Sequence, residues 1–154
     1  MTKTVSSLKE LRTVAEGFLK ALSKNTPKGQ GVVVGLTGDL GAGKTAFTKC
    51  VAEVLGVGDV VTSPTFVLEK RYDIEGKGGA SNRFSKLIHV DAYRLNSGNE
   101  MSALDWETTL SDEQNLILVE WPEQIKEALP LNVVNLSFEY VDEGVRRVSG
   151  DYIQ

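Results

Sequence analysis

The sequence has few of the features that mark disulfide-bonded, zinc-binding or membrane-spanning proteins. Its 154 residues include one cysteine, Cys50, which can form neither an internal disulfide nor a cysteine-rich zinc site. No apolar run approaches the ~18 residues of a membrane-spanning helix, and the first twenty residues contain no apolar stretch before a small-residue cleavage site. We therefore expect a cytoplasmic protein that has no membrane partner and is stabilised by a hydrophobic core.

Basic residues are also too few for a chain that mainly coats nucleic acid. Lys and Arg number 17 against 21 Asp and Glu, which gives a formal net charge of −4. Because such coating needs a concentrated basic surface, this balance argues against DNA binding and predicts that a partner holds any RNA. What is present is an ordinary globular composition, and the length predicts a single domain over residues 1–154.

Hydrophobic periodicity predicts alternating helices and strands. An amphipathic helix is expected from the capping-box sequence at 7–10 to the cluster at 24–27, with Leu8 on its apolar face. Residues 31–37 are typical of a buried central strand, and 44–55 have helical spacing. The remaining predicted elements are strands at 60–61, 66–72, 87–90 and 116–120, a proline-led helix at 122–129, and a hairpin formed by 133–140 and 145–153. Residues 75–85, rich in glycine and serine, predict a mobile surface loop.

The strongest motif is GDLGAGKT at residues 38–45, which matches the phosphate-binding pattern G-x-x-x-x-G-K-[ST]. It lies between a predicted buried strand and a predicted helix, as its mechanism requires. Glycines let backbone N–H groups converge on phosphate oxygens, and the start of the helix adds partial positive charge. Lys44 is expected to reach the β- and γ-phosphates, and the Thr45 hydroxyl to coordinate Mg²⁺. The motif therefore predicts a nucleoside triphosphate and Mg²⁺ as ligands.

Two apolar strands end in carboxylates, Asp91 and Glu120, at the edge where an open α/β sheet places its ligand. Spacing does not decide which of them contacts the metal. Since the run before Glu120 is wholly apolar, we favour Glu120 near Mg²⁺ and Asp91 as the group that orients or activates water. His89, inside its strand, is interpreted as a packed or backbone-bonded residue.

A proline-stiffened segment at 62–65 follows the second helix and carries three hydroxyl side chains. Such segments often become ordered around a γ-phosphate. Two interpretations of Thr65 stay open: a contact with the γ-phosphate or with metal-bound water, and an ordinary turn.

Four motifs occur in a fixed order: GDLGAGKT at 38–45, TSPTF at 62–66, HVDAYRL at 89–95 and LVEWPE at 118–123. In these motifs the chain resembles the TsaE (YjeE) family of small bacterial P-loop ATPases. With the predicted elements, this implies a three-layer P-loop NTPase-like α/β fold with a mixed, mostly parallel sheet and an antiparallel C-terminal hairpin.

Carried over residue by residue, the resemblance implies ATP contacts along the phosphate loop, from Asp39, Leu40, Gly41, Ala42, Gly43, Lys44 and Thr45. It also implies that Thr45 and Glu120 contact Mg²⁺ and that Asp91 has an essential acidic role. Glu123 and Ser7 are implied to lie beside the base or ribose of the nucleotide. The chain departs from the family at Ala46, where many relatives have threonine, so only the Ala46 backbone N–H is left for the α-phosphate. The segment at residues 75–86 is also longer than expected for the family.

The resemblance further implies a role in making threonylcarbamoyladenosine beside the tRNA anticodon. By the same resemblance the ATPase serves a complex of TsaB and TsaD, so tRNA is expected to be an indirect partner. ATP hydrolysis by this chain is expected to be weak alone and stimulated by that pair. Two other functions fit the same loop: a small-molecule kinase, and a nucleotide-dependent binding module without significant hydrolysis. A GTPase is disfavoured, because the chain has no N-K-x-D segment.

Overall fold

The centre of the molecule is a seven-stranded mixed sheet, as seen in the described residues of the computed structural model, 1–62, 68–75 and 83–154. The spatial order of the strands is β1-β7-β6-β2-β5-β4-β3. Their bounds are β1 Thr2–Val5, β2 Val32–Thr37, β3 Glu69–Asp73, β4 Lys86–Asp91, β5 Asn115–Glu120, β6 Val134–Asp142 and β7 Val145–Gly150.

The four central strands, β6, β2, β5 and β4, are parallel, and the pairs toward both edges are antiparallel. This arrangement confirms the mixed sheet and the C-terminal hairpin, in which Asp142 pairs with Val145 around a two-residue turn. Strand β1 was not predicted from the sequence. This strand has four residues, of which only Val5 is buried, so it lacks the apolar alternation that identifies longer strands.

Two long helices cover one face of the sheet, α1 (Leu8–Asn25) and α2 (Lys44–Leu55). Helix α1 begins as predicted, because the Ser7 Oγ accepts a hydrogen bond from the Glu10 backbone N–H at 3.1 Å. Leu8 lies on the predicted face of α1 together with the buried Leu11, but the residue itself is 70% exposed. The described helices include none long and apolar enough to cross a membrane.

The opposite face is covered by shorter elements, a 3₁₀ segment at Gly98–Leu104, helix α3 at Trp106–Ser111 and a second 3₁₀ segment at Pro122–Ala128. The first two were not predicted, and the proline-led helix is present but in 3₁₀ geometry. The two hydrophobic clusters on the two faces of the sheet confirm the three-layer architecture.

The remaining predictions concern the stretch between α2 and β4. Val60 and Val61 do not form a strand, and Val60 is 85% exposed. The strand predicted over 66–72 is present at Glu69–Asp73, while its first two positions lie outside the described residues. Thr65 and residues 76–82 of the predicted loop also lie outside them.

Candidate functional site

The loop at residues 38–45 joins the end of the central strand β2 to the start of α2. Its three glycines, Gly38, Gly41 and Gly43, all have positive φ. Gly38 has φ +142°, and a Cβ at this position would lie 2.4 Å from the Phe138 carbonyl oxygen. Gly43 has φ +111° and precedes α2 without a capping side chain, so the first N–H groups of the helix have no side-chain acceptor from the cap. The loop therefore presents a helix N-terminus suited to an anion.

The Lys44 side chain is at the centre of this arrangement. The residue is 4% exposed, its Nζ donates to the Gly38 carbonyl oxygen, and the ammonium lies 3.7 Å from the centroid of the Trp121 ring. Burial lowers the pKa of Lys44, and four nearby carboxylates oppose that shift by favouring the charged form. In decreasing order of effect these are Glu120, Glu123, Asp91 and Asp39.

Glu120, at the end of β5, is 4% exposed and has partners on two elements. Its two carboxylate oxygens each lie 3.3 Å from the Thr45 Oγ1, and its Oε2 lies 2.6 Å from the His89 Nε2. His89 is thus packed, as predicted, but it contacts a carboxylate rather than the backbone. The predicted pair of Mg²⁺ ligands, Thr45 and Glu120, is brought together across the fold.

Asp91 ends the neighbouring strand β4 and pairs in register with Glu120. Its Oδ1 accepts a hydrogen bond from the Tyr93 backbone N–H at 3.0 Å, and the residue is partly exposed. The Tyr93 ring lies 5.1 Å from the ring of Trp121, which in turn contacts Lys44. Asp91 therefore lies within electrostatic reach of Lys44, at the same level of the sheet as Glu120.

A cavity of about 570 Å³ opens beside the loop. The predicted site residues that line it are Ser7, Leu40, Gly41, Gly43, Lys44, Thr45, Ala46 and Glu120. Four other predicted residues do not line it. Ala42 is buried in the core, Asp91 lies on the neighbouring strand, and Asp39 and Glu123 are exposed but influence the charge of Lys44.

Other residues that line the cavity were not predicted from the sequence. Val5, Leu8 and Leu11 line it from the N-terminal strand and helix, and Arg146 lines it from β7. The Arg146 Nε donates to the Gly41 carbonyl oxygen at 3.0 Å, and its guanidinium lies 4.4 Å from the centroid of the Tyr140 ring. No local motif marks Arg146, because its contact with the loop joins residues 105 positions apart.

Comparison with known proteins agrees with this geometry. The family model described as "Threonylcarbamoyl adenosine biosynthesis protein TsaE" matches residues 5–148. The chain belongs to the TsaE family. Curated relatives carry the name tRNA threonylcarbamoyladenosine biosynthesis protein TsaE. The relative from Streptomyces coelicolor is 48% identical over 60% of this chain and 58% of its own length. The relative from Bacillus subtilis is 36% identical over 90% of this chain and 82% of its own length.

A solved structure is similar over nearly the whole chain. The crystal structure of Bacillus subtilis YdiB superposes with a TM-score of 0.68 and 28% identity, covering 96% of this chain and 82% of that one. The fold of this TsaE-family chain is therefore P-loop NTPase-like, as predicted.

The residues present fit a magnesium ion that is shared with a nucleotide. The described part of the chain contains no group of three or more His, Cys, Asp and Glu side chains placed to hold a metal. Mg²⁺ commonly takes one or two carboxylates together with substrate phosphates and waters, rather than a cage made by the protein alone. Thr45 and Glu120 supply an oxygen set of this kind at the cavity wall.

Proposed function

We propose that this chain binds ATP with Mg²⁺ and hydrolyses it in support of tRNA threonylcarbamoyladenosine biosynthesis. The observation that carries the proposal is the convergence of Lys44, Thr45 and Glu120 on one cavity at the start of α2. This combination of ammonium, hydroxyl and carboxylate matches the needs of a triphosphate and its metal. Membership of the TsaE family supports the biosynthetic role.

The phosphate loop at residues 38–45 binds the nucleotide. Backbone N–H groups at the start of α2 point out of the end of the helix where the cavity opens, and they favour the binding of phosphate oxygens there. Lys44 adds a point charge for the β- and γ-phosphates, and its burial strengthens that interaction because little water screens it. Thr45 and Glu120 would hold Mg²⁺, which when bound neutralises charge on the phosphates.

Asp91 is the group we assign to the attacking water. It is partly exposed, so water has access to it, and its Oδ1 is oriented by the Tyr93 backbone N–H. Glu120 is engaged with Thr45 and His89, which leaves Asp91 as the strand-end carboxylate available to orient the water or accept its proton. The proposed contact of Thr65 with the γ-phosphate or metal-bound water remains a prediction.

We further propose that hydrolysis is slow in the isolated chain and is stimulated by TsaB and TsaD. Phosphoryl transfer depends on positioning, and a partner can supply or order groups around the γ-phosphate. Transfer of the threonylcarbamoyl group to tRNA is assigned to the partners.

The test is phosphate release from ATP and Mg²⁺, measured with this chain alone and with TsaB and TsaD added. We expect slow release alone and clear stimulation by the pair. Release without any metabolite acceptor also separates an ATPase from a kinase. Absence of ATP binding by calorimetry would refute the proposed activity, and absence of stimulation would refute the proposed partnership.

A further inference from the structure

His89 is the single histidine of the chain and lies within β4, the strand that ends at Asp91. Its side chain is fully buried. In register His89 pairs with Leu118 of β5, and Glu120 is two residues farther along that strand. Because side chains alternate across a strand, His89 and Glu120 lie on the same face of the sheet, the face covered by α1 and α2.

Packing alone is a poor explanation for an imidazole at this position. The neighbouring positions Leu87, Ile88 and Val90 are apolar and fully buried. The His89 Nδ1 is buried and has no hydrogen-bond partner among the described residues. Burying a polar nitrogen without a partner costs free energy, so an apolar residue would suit the core better. The contact that offsets this cost is the 2.6 Å hydrogen bond from Nε2 to Glu120.

This hydrogen bond orients the carboxylate in a way that the Thr45 contact does not. The Thr45 Oγ1 is equidistant, at 3.3 Å, from both oxygens of Glu120, so it does not distinguish them. The His89 Nε2 contacts Oε2 alone. An ionised carboxylate can only accept hydrogen bonds, so in the state that binds a cation the His89 Nε2 is the donor to Glu120.

We propose that His89 is a positioning residue for Glu120 and thereby sets the affinity of the nucleotide site for Mg²⁺. The inference rests on the proposed function and deepens it. By fixing the Glu120 side chain against Thr45, His89 holds the two metal-binding groups together before the metal arrives. Partners of this kind, placed behind a metal ligand, typically contribute 10- to 100-fold to metal affinity or activity.

The experiment compares His89→Leu, His89→Asn and His89→Gln by calorimetry with a non-hydrolysable ATP analogue, in EDTA and across a Mg²⁺ titration. The amide nitrogen of a glutamine side chain reaches about as far as the histidine Nε2, whereas the amide of an asparagine ends near the place of Nδ1. We expect His89→Leu and His89→Asn to require about 10- to 100-fold more Mg²⁺ for half-maximal binding. His89→Gln is expected to restore most of the wild-type response, and all foldable variants to bind the analogue in EDTA as the wild type does.

A purely structural role predicts another pattern, in which binding in EDTA falls together with binding in Mg²⁺ and His89→Gln gives no rescue over His89→Asn. That pattern, or a wild-type Mg²⁺ response in His89→Asn, overturns the inference. If His89→Leu does not fold, as judged by circular dichroism, the contrast between the glutamine and asparagine variants decides the question. A wild-type protein that does not bind the analogue at all refutes the proposed function instead, so the two failures are distinguishable.

Discussion

The ends of β4 and β5 are alike in sequence and different in environment. Each is an apolar strand that ends in a carboxylate, and Asp91 and Glu120 are paired in register. Glu120 is 4% exposed and is held by side chains from α2 and β4, whereas Asp91 is partly exposed and bonds to a backbone N–H of its own loop. Similar local patterns therefore acquire different chemistry from the elements packed against them. In our proposal one carboxylate serves the metal and the other serves water.

The largest expected effect separates these two roles directly. Asp91→Asn should reduce the rate of phosphate release by about 100-fold or more, because it removes the proposed general base. The affinity for ATP should stay within about twofold, since Asp91 does not line the cavity. Phosphate-release kinetics and calorimetry measure the two quantities. Glu120→Gln is the matched control and should instead change the Mg²⁺ dependence of binding; if Asp91→Asn does this too, the two strand ends are not distinct.

Lys44→Ala removes the cation that both carboxylates face. We expect ATP affinity to fall by about 10- to 150-fold, which corresponds to the ~1.5–3 kcal/mol of a hydrogen bond to a charged group. Calorimetry in Mg²⁺ provides the measurement. Lys49→Ala is the control, because Lys49 is an exposed lysine on the same helix and does not line the cavity. Equal losses in the two variants would contradict a specific role for Lys44.

A smaller effect is expected on the other side of the cavity, away from both strand ends. Arg146→Met removes the hydrogen bond to the Gly41 carbonyl oxygen and should weaken ATP binding about fivefold, the equivalent of ~1 kcal/mol. Its neighbour Arg147 pairs with Glu139 at 2.9 Å and does not line the cavity, so Arg147→Met should leave the affinity unchanged. The two dissociation constants, measured side by side, decide whether the hairpin supports the loop.

The smallest expected difference between the two strand ends concerns the pKa of Lys44, which is measured by NMR of labelled lysine. Burial lowers this pKa, and Glu120 opposes the shift more than Asp91 does. Glu120→Gln should therefore lower the pKa further than Asp91→Asn, and the reverse order would contradict the assigned environments.

The same pKa shift has a consequence for stability. The folded protein releases the Lys44 proton at lower pH than the unfolded chain, so the unfolded chain binds more protons between the two pKa values. The contribution of Lys44 to the unfolding free energy should therefore rise with pH in that window, below 10.5. The control is Lys44→Ala, which should lose this part of the pH dependence in urea denaturation.

Elements with strong periodicity were predictable. Strand β2, helices α1 and α2 and the C-terminal hairpin agree with the sequence analysis, because each has a repeating apolar pattern or a clear turn signal. Strand β1 and the elements at 98–111 were missed, since they are short and their stability comes from contacts with distant parts of the chain. Val60 was wrongly placed in a strand because β-branching alone does not supply a pairing partner.

By itself the sequence determined the phosphate loop, its position between strand and helix, and the two strand-end carboxylates. Local chemistry decides these features: glycine tolerates positive φ, and residue spacing puts Lys44 and Thr45 at the helix start. Only the tertiary structure decided that Glu120 is the carboxylate beside Thr45, that His89 lies behind it, and that Arg146 reaches the loop. These contacts join residues 31 to 105 positions apart, and their distances depend on how strands and helices pack, which no local pattern encodes.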